Sequence, residues 1–223
     1  MAMRKVDFEA LMNQLRIELT GASDSGIKFA LYHTFHEFFN DSSAWQETIV
    51  LPMQQSIVDY DIAPAEDGQI IRLVGVVDQN NVPQPALLTQ VGLANGAGHI
   101  VFEWAPNLLP NGQTQSFLVT VAKNVVRPNS RDNIPIAPEW VLPIYERTIL
   151  DGVQGKMMNQ PGTSYSNDAK AKYHLARFRD GIAMARTAVL RRNTFGSQAW
   201  SFPQTFKVGT QRGGVSSANP NRF

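Results

Sequence analysis

The chain reads as α+β: a helical bundle built from an N-terminal and a C-terminal helix pair, an inserted antiparallel β-sandwich or barrel, and an extended C-terminal tail. Three observations lead there. Apolar residues recur at steps of three and four before Asn40 and again after Pro143, the period of one helix face. Between Glu47 and Val126 they form short β-branched and aromatic runs separated by turn residues. Beyond Asn193 the period vanishes into a Gly/Ser/Asn-rich sequence. The expected segments are therefore 1–46, 47–126, 127–192 and 193–223.

The first helix lies in VDFEALMNQLRIELTG, with Asp7 as N-cap, a stripe of Phe8, Leu11, Leu15 and Leu19, and Gly21 near its end. Ser23 or Asp24 caps the second, where Ile27, Leu31, Phe35 and Phe38 share a face and the polar run NDSSAW stops the helix near Asn40. The pair leaves apolar faces that later segments must cover. Strands follow in ETIVLPM, SIVDYDI, QIIRLVGVVDQ, HIVFEWAP and QSFLVTVAKNV. AEDG, QNN, ANGAG and LLPNG are the turns, with Gly or Asn where a positive φ is needed. Evenly spaced short strands favour a sandwich or barrel over βαβ units.

RPNSRDNIPIAP is an extended connector stiffened by its prolines. In the next helix Pro143 sits in the first turn, and Tyr145, Ile149, Val153 and Met157 lie along one side. Gly152 and Gly155 cost about 1 kcal/mol each relative to alanine unless a neighbour needs the space. After the loop NQPGTSYSND, Ser166 or Asn167 caps the last helix, whose inward seam is Ala171, Leu175, Phe178, Ile182, Ala185 and Val189. Lys172, Arg179 and Arg186 repeat every seven residues on one flank, with Lys170 and Arg177 beyond.

The net charge of +1 conceals an asymmetry. Residues 127–223 carry 14 Lys or Arg against 6 Asp or Glu, +8, while residues 1–126 carry 6 against 13, −7. Such a dipolar chain suits stacking of like subunits or partners of both signs. With no cysteine, disulfides and thiolate metal sites are excluded. The N-terminus lacks a signal-peptide core and no apolar run approaches a membrane span. The expectation is a protein made in the cytoplasm, without membrane contact.

Candidate chemistry is sparse. His33 and His36 stand one turn apart, but HExxH is absent. Asp59, Asp61, Glu66 and Asp67 do not follow an EF-hand loop. Gly92, Gly96 and Gly98 match neither phosphate-loop order and read as a hairpin. No GxSxG is present and no cysteine nucleophile exists. We expect no enzymatic activity, no metal and no cofactor. Function is then a matter of surfaces: the basic helix, able to face phosphates or a neighbouring subunit, and Trp200, Phe202 and Phe206, aromatic anchors on a tail too polar to form its own core.

The approach PEWVLPIYERTILDGVQGKMM, the loop NQPGTSYSND and the helix AKAKYHLARFRDGIAMARTA resemble the C-terminal helical pair of head-to-tail adaptor (connector) proteins of short-tailed bacteriophages. FALYHTFHEFFNDSSAWQETIVLP, SIVDYDIAP and IIRLVGVV are similar to the N-terminal part of such proteins. The resemblance implies a structural virion protein at the head–tail junction. Its copies would form a ring, dodecameric in the family, below the portal protein, and the other end would receive the tail nozzle or fibre proteins. Genomic DNA would pass through the lumen without specific recognition. It further implies portal docking by the C-terminal segment, here Trp200, Phe202 and Phe206. Lys170, Lys172, Arg177, Arg179 and Arg186 are then expected at the channel wall or a subunit contact. A non-sequence-specific nucleic-acid-binding module using the basic helix is the alternative.

Overall fold

A computed structural model describes residues 8–54, 56–64, 67–91, 93, 96–103, 116–127 and 136–193, with residues 192 and 193 by backbone alone. The described residues are α+β, with four helices and two small antiparallel sheets. One compact unit reaches to Val189; beyond it the structure describes only the last residues of the final helix.

Helix α1 (Glu9–Glu18) starts from Phe8, which offers no side-chain cap. Asp7, the expected cap, lies outside the described residues. Phe8 contributes packing instead: it is buried, with its ring edge-on to Phe35 at 5.6 Å. Helix α2 (Asp24–Ser42) is capped by the Ser23 hydroxyl, which accepts from the Gly26 amide. It runs two residues past the expected stop, because the Ser42 hydroxyl bonds back to the Phe38 carbonyl and Ser43 turns left-handed at φ 52°.

Six strands follow: β1 (Gln46–Pro52), β2 (Asp59–Ile62), β3 (Gln69–Val77), β4 (Ala86–Gln90), β5 (Gly98–Phe102) and β6 (Ser116–Asn124). They form one sheet in the order β1-β6-β3 and another in the order β2-β5-β4, with no closed barrel among the described strands. β4 has no counterpart among the strands expected from sequence. It is an edge strand with adjacent leucines, Leu87 outward and Leu88 inward, so the period-two signal is weak. β2 is shorter than SIVDYDI, since Ser56 adopts φ 64° before it. Positive φ occurs at Gly68, Asn81 and Gly96, within the turn runs. Leu51, Ile62, Ile70, Val76, Ile100, Phe102, Phe117, Val119 and Val121 form one buried cluster drawn from both sheets.

Helix α3 (Val141–Met158) departs from helical geometry at Tyr145 (φ −125°, ψ 15°), two residues after Pro143. The expected one-sided stripe is too narrow a description. From Ile149 to Met158 only Lys156 is not buried. Gly152 shows why. A Cβ there would lie 2.5 Å from the Thr34 methyl of α2 and 2.8 Å from the Phe178 ring, so the helix is covered from two sides. Helix α4 (Asp168–Asn193) is capped by Asn167, whose side-chain oxygen accepts from the Lys170 amide at 3.0 Å. All four helices contribute to a second buried cluster that includes Leu15, Phe35, Val153 and Phe178. No helix among the described residues is long and apolar enough to cross a membrane.

Candidate interaction face on the last helix

Helix α4 is attached along one seam. Ala171, Phe178, Ile182 and Ala185 are buried, and Leu175 and Val189 are partly so. Small residues bring it close to α3. A Cβ on Gly155 would meet the Leu175 backbone nitrogen at 3.0 Å, and one on Gly181 would meet Thr148 Oγ1 at 2.4 Å. Alanine is excluded at both by atoms of the facing helix, which accounts for glycines that local propensity disfavours.

A polar contact reinforces the seam. Asp151, on α3, is 1% exposed, and its Oδ1 lies 2.8 Å from His174 Nδ1 of α4. Its Oδ2 faces Arg177 Nε at 3.2 Å and Arg147 Nε at 3.6 Å. Arg177 Nη1 also donates to the Tyr173 hydroxyl at 2.8 Å. That bond first, and the charge of Asp151 second, raise the affinity of Arg177 for its proton. A buried carboxylate requires such compensation. The sequence reading missed this cluster, although a lone acid between Leu150 and Gly152 was its visible trace.

The five cations expected on α4 are all exposed, but they are not equivalent. Lys172 pairs with Asp168 at 2.7 Å and Arg177 is held by Asp151 and Tyr173. Lys170, Arg179 and Arg186 have no side-chain ion pair or hydrogen bond among the described residues. Seven-residue spacing puts Arg179 and Arg186 about 10 Å apart on one flank with Lys172. Lys170 and Arg177 share the other flank with Met184, which is 72% exposed. Ala169, Ala176 and Ala183 lie between the flanks, beside exposed Tyr173. The face is thus basic at its margins, with alanines and Tyr173 set around an exposed acid, Asp180, along its middle. Trp200, Phe202 and Phe206 lie outside the described residues.

The remaining candidates resolve into local structure. The His33 ring packs edge-on to Phe29 at 4.3 Å and Tyr32 at 5.1 Å. Partial desolvation, then the charge of Lys156, lowers its pKa below the ordinary imidazole value. Asp61 bonds His99 across β2 and β5 at 2.8 Å, while Asp59 lies one outward position along the strand. Glu66 and Gly92 lie outside the described residues. Gly96 belongs to the β4–β5 connection, its amide donating to the Leu93 carbonyl, and its backbone packs on Gly68 so closely that a Cβ would sit 2.3 Å from that carbonyl oxygen. Among the described residues no group of three or more His, Cys, Asp or Glu could hold a metal ion.

At the other end of the helical core, Lys123 of β6 is fully buried, with Nζ 2.7 Å from Glu47 Oε2 and 4.7 Å above the Trp45 ring. The Asn124 side chain donates to the His36 carbonyl of α2. These contacts join strand ends to the helices and use their polar groups internally. The outward side of α4 is left as the candidate face that the described residues offer. No protein-family model and no curated protein matches the chain.

Proposed function

We propose that this chain is a structural adaptor of a tailed phage virion: copies form a ring, dodecameric by resemblance, that joins the portal protein to the tail nozzle or fibres and surrounds the DNA channel. The observation that carries the reading is α4, a 26-residue helix packed along one seam and left exposed, basic and partly apolar elsewhere. A helix so anchored suits a subunit contact or a channel wall, where position must be held while chemistry is absent. The finer fold belongs to this reading. The cluster shared by the two sheets supports a sandwich, and the cluster shared by four helices supports a bundle into which it is inserted. The resemblance assigns portal docking to the C-terminal segment, with Trp200, Phe202 and Phe206 as its anchors. The site of action is then the head–tail junction, after synthesis in the host cytoplasm.

The test is a pull-down with the portal protein encoded in the same genome. Truncation after Asn193 is expected to abolish binding; undiminished binding removes the tail from the assignment. Electron-microscope images of chain and portal together are expected to show a closed ring capping the portal.

The uncompensated charges of Lys170, Arg179 and Arg186 favour one second reading, a nucleic-acid-binding module without sequence preference. It requires duplex binding that weakens steeply with salt. A gel shift showing no affinity at low salt ends it.

A further inference from the structure

We infer that the outer face of α4 docks on the outer face of the β2-β5-β4 sheet in a second copy of the chain. The inference rests on the ring reading and specifies which two surfaces meet. A basic helix excludes its own twin as partner, because like charges oppose each other. Pure phosphate binding leaves unused the exposed apolar side chains of Tyr173, Met184 and the three alanines. The occupant that suits both features is an acidic protein surface with exposed apolar side chains.

Most carboxylates in the described chain are already engaged. Glu9 and Asp24 hold Arg16, Glu18 faces Gln154, Glu37 faces Lys156, Glu47 faces Lys123, and Asp168 faces Lys172. Asp151 binds α4, and the Asp78 carboxylate accepts from the Asn80 and Val82 amides of its own turn. Asp67, Glu139, Glu146 and Asp180 are exposed without a side-chain partner among the described residues, but the outer side of one sheet sets its acids beside apolar residues in register. Tyr60 and Ile62 point inward on β2, so Asp59 and Asp61 point outward, and both are exposed. Asp59 stands in register with Val101, which stands in register with Leu87, 63% exposed. Asp61 and His99 form the next row, and Glu103 extends the outward side of β5. Asp59 and Glu103 have no intrachain cation or hydrogen-bond partner for their side chains among the described residues. This face is acidic along its β2 edge and at the end of β5, and apolar across Val101 and Leu87, opposite in charge to α4.

The two faces belong to different clusters of the same fold, one helical and one β. Their contact is heterologous, each copy giving a helix to one neighbour and a sheet to the other, the type of contact that closes rings. A three-stranded sheet of short strands covers less than the roughly 800 Å² per partner of a standard stable pair. Two copies therefore associate weakly, and closure of the ring supplies the cumulative strength.

The experiment is sedimentation of the purified full chain without portal or DNA, from micromolar up to about 0.5 mM. Self-association is expected at low salt and is expected to weaken as salt rises. Arg179→Glu with Arg186→Glu, and separately Asp59→Lys with Glu103→Lys, should each raise the dissociation constant about tenfold or more. Mixing the two variants should restore association, because each now meets its complement. All four positions are exposed, so unchanged melting midpoints and circular dichroism confirm folding. A chain that stays monomeric overturns the proposal, as does association indifferent to both reversals or unrescued by mixing. The adaptor reading is judged separately: portal binding with no charge-dependent self-association retains the adaptor and discards these faces. Charge-dependent self-association with no portal binding does the reverse.

Discussion

The helical and β halves of this chain solve the burial problem differently. The helical cluster is dense in aromatics, Phe35, Phe38, Phe39 and Phe178 among them, and depends on glycines at helix crossings. It also encloses polar groups: Thr34, Ser42, Asp151 and Gln154. The β cluster is smaller and mostly aliphatic, and the outward residues of its strands are exposed or half-buried except at the end of β6, where Ala122 and Asn124 are buried. Gly75, on β3, has nothing within 4 Å of where a Cβ would stand, whereas Gly152 is enclosed by two side chains. The contrast teaches that close packing is concentrated where α4 is held, while the sheets leave surface available.

Three experiments can break or sharpen this contrast. The largest effect is expected from Phe178→Ala, which empties a fully buried ring position between α3 and α4. A loss of about 3–5 kcal/mol is expected in urea unfolding, and amides of α4 should lose exchange protection before those of β6. Uniform loss of protection would show that the seam is not a distinct unit. Next is Glu47→Ala, which removes the carboxylate facing a fully buried ammonium. It should cost about 3 kcal/mol, while Lys123→Met combined with Glu47→Leu recovers most of it, as read by the urea midpoint. Smallest is the glycine pair. Gly152→Ala should lose about 1–2 kcal/mol, because overpacking outweighs the gain in helix propensity. Gly75→Ala should remain within about 0.5 kcal/mol of the parent. Equal effects at the two positions in thermal unfolding would remove the distinction drawn between the halves.

Several elements were legible in the chain because their signals are local. Ser23 and Asn167 are short polar residues immediately before apolar-periodic runs, and both cap. The α4 seam follows from spacing alone, since each member returns to one side of a helix whatever that side touches. Where signals were weak, the reading failed. β4 was missed because Leu87 and Leu88 are apolar on both faces of an edge strand. α3 was read as one-sided because its Gly152, Gln154 and Gly155 carry no hydropathic signal of burial, yet all are buried. The candidate site divided in the same way. That Lys170, Lys172, Arg177, Arg179 and Arg186 would be exposed could be read from their positions. The Lys172–Asp168 pair is a local i,i+4 contact, whereas the engagement of Arg177 could not be read, because its carboxylate partner lies 26 positions away on another helix.

The amino-acid sequence by itself determined the order of the helices and of every described strand but β4, the inward side of α4 and the opposite charges of the two halves, because these depend on neighbours within a few residues. Only the tertiary structure decided which cations remain uncompensated, why alanine is excluded at Gly152, Gly155 and Gly181, and that Asp151 ties α3 to α4. Those outcomes depend on atoms brought together from distant positions, where distance in space sets both steric exclusion and charge pairing.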